Sequence, residues 1–266
     1  MHPMLNIAVR AARVAGKILV KSFGVEVDLN VTTKSQNDFV SELDRVAEDA
    51  IINVIRKAYP DHAIMAEESG HNEGRDNDHQ WIIDPLDGTT NYVRGIPHFA
   101  ISIAYAYKGV VQAGVVYDPL REELFTASRG QGAQLNGRRI RVTNHKDLNG
   151  ALLATGFPFK RKDLVADYTA LFTELFQHTA DMRRAGSAAL DLAYVANGRI
   201  DGYWEFSLQP WDIAAGQLIA REAGAIVTDF GGGHHFMKTG HVVAGAPKVV
   251  QHLLMIAKNK LPESLR

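Results

Sequence analysis

Three apolar runs, at 99–107, 110–117 and 122–127, are separated only by short turns at Lys108-Gly109 and Asp118-Pro119. Connections that short reverse the chain between neighbouring strands, so this stretch predicts an antiparallel meander. Helical periodicity precedes it. Leu5, Ala8, Val9, Ala12, Ala15 and Leu19 recur at helical spacing up to Ser22-Phe23-Gly24. Leu43, Val46, Ala50, Ile51, Val54 and Ile55 mark one face of a second helix from about Phe39 to Ala58, ended by Tyr59-Pro60. The polar residues Thr32 to Asp38 between them read as an exposed, mobile loop. Short strands are expected at 63–66 and 81–83, with a polar turn from His71 to His79. Beyond Asn149-Gly150 strands at 151–155, 200–204, 225–228 and 241–244 alternate with helices at about 163–177, 187–197, 212–223 and 247–259. The fold class is α/β (α+β) with layered sheets and helices. We expect a single domain over 1–266 with subdomains at 1–145 and 146–266.

Composition narrows the function. The 266 residues carry 29 Lys+Arg against 30 Asp+Glu, which argues against a dedicated nucleic-acid binder. With no cysteine, disulfides, thiolate catalysis and sulfur-ligated metals are excluded. The uncharged stretch from Gly95 to Tyr107 falls short of the ~18 residues of a spanning helix. Arg10, Arg13, Lys17 and Lys21 are scattered through the first helix, unlike the segregated blocks of a signal peptide, so a cytoplasmic location is expected.

The chemistry concentrates in acids at the ends of apolar segments. Glu67 ends one strand, Asp84 ends the next, Asp87 follows three residues later, and Asp212 opens a later helix. Crowded carboxylates repel unless a cation neutralises them, and hard divalent cations such as Mg²⁺ take oxygen ligands. Pro85 favours a tight bend that presents Asp84 and Asp87 on one side, and the Leu86 carbonyl can add a neutral ligand. Gly88 and Thr89 open a helical turn whose amides suit an anion. Carboxylates for metals beside an anion-binding turn are what metal-assisted phosphate hydrolysis requires. Singly, each residue has an ordinary explanation: Asp87-Gly88 as a turn, Glu67-Glu68 as solvated surface, Asp212 as a helix cap. Together they are harder to explain so.

No P-loop, complete dinucleotide fingerprint, zincin motif or nucleophile elbow is present. Gly130-Gln131-Gly132 reads as a turn, the glycines and histidines at 231–235 as a glycine turn with exposed histidines, and His98 as a packed histidine. Arg183-Arg184 is open between a surface pair, a phosphate clamp and an interface anchor.

The string Trp81-Ile82-Ile83-Asp84-Pro85-Leu86-Asp87-Gly88-Thr89-Thr90-Asn91 resembles the signature of the inositol monophosphatase family. Trp211-Asp212-Ile213-Ala214-Ala215-Gly216, with Glu222-Ala223-Gly224-Ala225 after it, resembles that family's second signature, and Glu67-Glu68-Ser69 and Gly186-Ser187-Ala188-Ala189 also match. The N-terminal residues and Ala154-Thr155-Gly156-Phe157-Pro158-Phe159 are similar to the bacterial SuhB branch of that family. The resemblance implies a layered αβαβα sandwich, Mg²⁺ dependence, lithium sensitivity and a homodimer. It implies that Glu67, Asp84 and the Leu86 carbonyl bind one cation, with Asp84, Asp87 and Asp212 around a second. Thr89 and Asp44 would orient and deprotonate water, Gly88 and Thr89 amides would hold phosphate, and Glu205, Ala188 and Arg183 would contact the polyol. The segment around Lys34 matches less well, so the resemblance assigns no third cation there. The branch also implies a role in the Nus assembly on RNA polymerase in ribosomal RNA transcription, with Arg183-Arg184 as the candidate contact.

The reading is therefore hydrolysis of a small polyol phosphate, foremost myo-inositol monophosphate. Its rivals are a phosphatase for another sugar or nucleotide phosphate and a protein that acts mainly by interaction in transcription. A haloacid-dehalogenase-like aspartyl-phosphate route conflicts with the three-residue spacing of Asp84 and Asp87.

Overall fold

A computed structural model describes residues 3–24 and 33–266, with side chains described at 3–24 and 42–266. Two helices, α1 (Pro3–Ser22) and α2 (Thr33–Ala58), cover one face of an eight-stranded sheet. Its strands are β1 (His62–Ala66), β2 (Gly70–Asn72), β3 (Asp76–Asp87), β4 (Ala100–Tyr107), β5 (Val110–Asp118), β6 (Glu123–Ser128), β7 (Ala133–Leu135) and β8 (Arg138–Arg139), in the order β2-β1-β3-β4-β5-β6-β7-β8. Pairing is antiparallel from β3 through β8, and β4, β5 and β6 are the predicted meander. A short helix, α3 (Thr89–Val93), follows β3.

A second sheet is built from β9 (Leu152–Thr155), β10 (Asp181–Arg183), β11 (Gly202–Glu205), β12 (Ile226–Thr228) and β13 (Val242–Gly245), in the order β10-β9-β11-β13-β12. The helices α4 (Val165–His178) and α8 (Pro247–Lys260) pack on its outer face, while α5 (Ala188–Ala196) and α6 (Pro210–Glu222) lie between the two sheets. A one-turn helix, α7 (Phe236–Thr239), adjoins the inner core. Three separate apolar cores thus hold five layers in the order αβαβα. A helix sandwiched between sheets must be apolar all round, and the near-continuous Ala, Leu and Ile of α5 and α6 meet that demand.

The sheet's pleat sorts β4 accordingly. Ile101, Ile103 and Tyr105 enter the core under α1 and α2, whereas Ala100, Ala104 and Ala106 face α5 and α6. Small residues on that side let α6 come close, and Ser102 Oγ donates to the Trp211 carbonyl at 3.1 Å.

Two expectations need correction. The polar residues from Thr33 to Asp38 form the first turns of α2. Polar side chains do not forbid a helix, and extending one that is anchored further on adds a hydrogen bond per residue; Thr32 lies outside the described residues. The expected turn from His71 to His79 instead contains β2 and the start of β3, because backbone pairing at a sheet margin does not need apolar side chains. The α3, α7, β7, β8 and β10 elements are too short to leave a periodic signal.

On β5, a Cβ built at Gly114 would lie 2.9 Å from the Ala215 carbonyl oxygen and 3.1 Å from its Cα. Valine favours strands intrinsically, so propensity and packing oppose each other here. Gly114→Val should lower stability by roughly 1–3 kcal/mol through overpacking against backbone. A urea midpoint that stays or rises would show that α6 does not sit this tightly.

Candidate active site

The site begins with a defect in the β3–β4 ladder. Asp84 pairs with Ser102 and Asp87 with Ala100, so three steps along β3 match two along β4. In a regular strand residues three apart point to opposite faces. The one extra residue of this bulge restores the parity, and both carboxylates emerge on the side of α5 and α6. The bend expected at Pro85 is this bulge.

Each acid is then held by its neighbours. Asp84 is 1% exposed, and its Oδ1 accepts the Leu86 amide at 2.9 Å. Asp87 Oδ2 accepts Ser187 Oγ at 2.5 Å and the Ala189 amide at 2.7 Å, which ties β3 to the start of α5. Ser187 also caps α5 by accepting the Leu190 amide. Asp212 is not the cap of α6: Gln209 is, and Asp212 Oδ2 accepts its amide at 2.7 Å in a capping box. One carboxylate oxygen from each of Asp84, Asp87 and Asp212 lies within 4.8 Å of the others. Glu67 lines the same cavity, its amide bonded to the Ile83 carbonyl at 3.2 Å.

Crowding and burial reshape the titration. Burial pushes Asp84 well above the carboxylate range, and Glu67, Asp87 and Asp212 push it further. Asp212 is raised well above that range by burial and then by Asp87. Glu67 is raised by burial and Asp87, with Lys160 opposing. Burial lifts Asp87 to about 6 against the pull of its Ser187 and Ala189 hydrogen bonds. No Lys or Arg forms an ion pair with Asp84, Asp87 or Asp212 among the described residues. Crowded carboxylates without a cationic partner make an all-oxygen donor set, which fits a hard divalent cation such as Mg²⁺ and suits no soft metal.

These acids open into a cavity of about 310 Å³ that Leu86, Gly88, Thr89, Ala188 and Glu205 also line. Gly88 has φ +99°, and a Cβ there would meet the His98 and Gly186 carbonyls at 3.0 and 3.3 Å, so only glycine fits this turn. Thr89 Oγ1 donates to the Leu86 carbonyl at 3.0 Å. Glu205 is lifted to about 7 by burial, tempered by the Tyr203 hydroxyl that donates to its Oε2 at 2.5 Å.

Asp44 is buried at 5% exposure rather than on a solvated helix face. Burial, then Glu68, Glu67 and Glu48, push it to about 8. Its Oδ1 has no partner, and no hydrogen bond joins it to Thr89 among the described residues. Arg183 does not line the cavity: it is exposed and pairs with Asp181. Its neighbour Arg184 does line the cavity, since successive residues of extended chain project to opposite sides.

Several residues of the site carried too little sequence signal to single out. Glu48, one helical turn beyond Asp44, accepts the Glu68 and Ser69 amides at 2.9 and 2.8 Å and so fixes the loop that bears Glu67. Lys160 supplies a cation beside Arg184, the member of the Arg183-Arg184 pair that enters the cavity and stacks over the Phe157 ring at 5.0 Å. Asp191 lines the cavity from α5. Glu48 meets its partners only through a remote segment, and the others reach the cavity from separate elements, which one-dimensional spacing does not display.

A family model described as the inositol monophosphatase family matches residues 1–262. The chain belongs to the inositol monophosphatase family. Among curated members it is 56% identical over 266 residues, the full length of both chains, to the Nus factor SuhB of Escherichia coli K12. It is 58% identical over 254 residues to the Nus factor SuhB of Pasteurella multocida, covering 96% of this chain and 95% of that one. The fold matches the extragenic suppressor protein suhB of Bartonella henselae with TM-score 0.87 and 43% identity over 96% of this chain and 99% of that one. The Thermotoga maritima IMPase matches with TM-score 0.84 and 34% identity over 99% of each chain. Like these members, the chain layers two sheets with helices.

The raised carboxyls set a sign for stability. A folded pKa above the unfolded value means the folded chain holds more protons above about pH 4. The contribution of these carboxyls is greatest in acid and is lost as pH rises through about 6 for Asp87, 7 for Glu205 and 8 for Asp44. Melting the chelated protein at about pH 5.5 and about pH 8.5 tests this, and Mg²⁺ should raise Tm more at the higher pH. An equal shift at both would contradict a cation among these carboxylates.

Proposed function

We propose that this chain is a Mg²⁺-dependent phosphomonoesterase that acts on a small polyol phosphate, foremost myo-inositol monophosphate. The observation that supports it most is the convergence of Asp84, Asp87 and Asp212 within 4.8 Å, beside a glycine turn in one cavity. In this reading Glu67, Asp84 and the Leu86 carbonyl would hold one cation, and Asp84, Asp87 and Asp212 would hold a second. When bound, Mg²⁺ would supply Lewis acidity towards water and the phosphoryl oxygens. The Gly88 and Thr89 amides orient the phosphate, and Ala188 and Glu205 meet the polyol, joined by Arg184 rather than Arg183.

Thr89 and Asp44 move the proton. The Thr89 hydroxyl, which donates to the Leu86 carbonyl, would relay a proton towards Asp44, whose burial among Glu68, Glu67 and Glu48 favours proton uptake. A cytoplasmic homodimer that lithium inhibits completes the proposal. The relatives named as Nus factors support a second role, contact with the transcription machinery. The further polyol, sugar and nucleotide phosphates are the competing substrates.

A panel of these phosphates should show turnover that chelation abolishes and Mg²⁺ restores. Turnover that survives chelation and dialysis would count against the metal site, and tenfold higher kcat/KM for sugar or nucleotide phosphates would overturn the inositol assignment. Thr89→Val and Asp44→Asn should each lower kcat by ~10²–10⁴ with little change in Mg²⁺ affinity. The double variant should lose little more, because both serve one proton path; multiplied losses would refute the relay. Asp84→Asn should stop hydrolysis and leave capture of Nus factors intact if the two roles are separate. Loss of capture in a variant with native circular dichroism would show that they are coupled.

A further inference from the structure

Asp191 is the least explained charge among the described residues. It sits in the first turn of α5, a helix whose other residues are Ala, Leu, Val and Tyr, and it is 2% exposed. The helix dipole favours an acid near that end but satisfies none of its lone pairs. No hydrogen bond reaches its carboxylate from any described residue, although it lines the cavity. A buried carboxylate without hydrogen bonds opposes folding, and an apolar residue in its place would pack into α5 at no such cost. Its position therefore calls for a partner that arrives from the cavity.

What surrounds it identifies that partner. Glu205 lines the same cavity and is held at one oxygen by the Tyr203 hydroxyl. A Cβ at Gly156 would lie 2.1 Å from the Glu205 carboxylate, so Gly156 keeps open the space that Glu205 occupies. Neither Asp191 nor Glu205 belongs to the convergent trio of Asp84, Asp87 and Asp212, so a shared cation does not account for them. Two carboxylates alone would attract an amine, but the Arg184 guanidinium lines the cavity as well and its charge reaches both. That compensation favours a neutral ligand rich in donors.

We infer that Asp191 and Glu205 form a paired hydroxyl-binding subsite, in which Asp191 selects substrates whose leaving alcohol carries at least two further hydroxyls. The inference rests on the phosphatase reading and deepens it. A carboxylate accepts two or more O–H donors, and a pair of them can discriminate a polyol from an alcohol that offers none. Asp191 is on this account a specificity-determining residue and takes no part in the proton path.

The test compares myo-inositol 1-phosphate with p-nitrophenyl phosphate, whose leaving group has no further hydroxyl, in the Mg²⁺-loaded protein. The ratio of their kcat/KM values should fall tenfold or more in Asp191→Leu, mostly through KM for the inositol phosphate. It should fall at least threefold in Asp191→Asn, which keeps the shape and serves if the leucine variant does not fold. Losses that are equal for both substrates, or an unchanged ratio, overturn the inference, as does a gain on phosphoethanolamine over the inositol phosphate in the wild type. Saturation-transfer NMR with myo-inositol supplies a readout without turnover. Transfer should occur with the wild type and be lost in Asp191→Leu, and transfer that is absent from the wild type or unchanged in the variant overturns the inference. Wild-type protein that hydrolyses neither phosphate would refute the phosphatase reading instead, while the NMR result would still decide the role of Asp191.

Discussion

Mutual repulsion among crowded carboxylates is the constraint around which this structure is organised. Asp84, Asp87 and Asp212 come from two different elements, yet one oxygen of each converges within 4.8 Å, with Asp84 buried and the other two half-buried. Left alone, such groups take up protons, and the upward shifts of their pKa values express that cost. The surrounding fold resists their separation. The β3 bulge sets the facing of two of them, the start of α5 grips Asp87, and the capping box of α6 holds Asp212. A site that stores repulsion in this way is prepared for positive charge.

The middle helical layer explains how three remote segments are aligned to within a few ångströms. Both α5 and α6 are packed on two sides, so their first turns cannot drift relative to β3. Gly114 and Gly216 permit that closeness: a Cβ on the latter would lie 2.7 Å from Leu192 Cβ. Small residues along the inner face of β4 serve the same end. Stability and function are here coupled through packing distance, since any outward shift of α6 moves Asp212.

Much of this was legible in the sequence, for identifiable reasons. The meander, the long helices and the alternation beyond residue 150 follow from apolar periodicity, which tertiary packing reinforces. Glu67, Asp84, Asp87 and Asp212 stood out because charges at the ends of apolar segments are costly without a purpose. The family resemblance added Asp44 and Glu205, and the structure buries Asp44 and half-buries Glu205. What escaped depended on remote pairing. Glu48 looks like a surface acid until the loop after β1 is folded over it. Arg183 and Arg184 are indistinguishable as a dipeptide, and only the strand direction decides which one turns inward. The start of α2 was missed because its first turns show no apolar face to mark them.

The most direct test is anomalous scattering from crystals of the protein soaked in Mn²⁺, which takes the same oxygen ligands as Mg²⁺. The account predicts a peak at coordination distance, ~2.1 Å, from carboxylate oxygens of Asp84, Asp87 and Asp212. Absence of density among these three residues at saturating Mn²⁺, or a peak only elsewhere on the molecule, would contradict it.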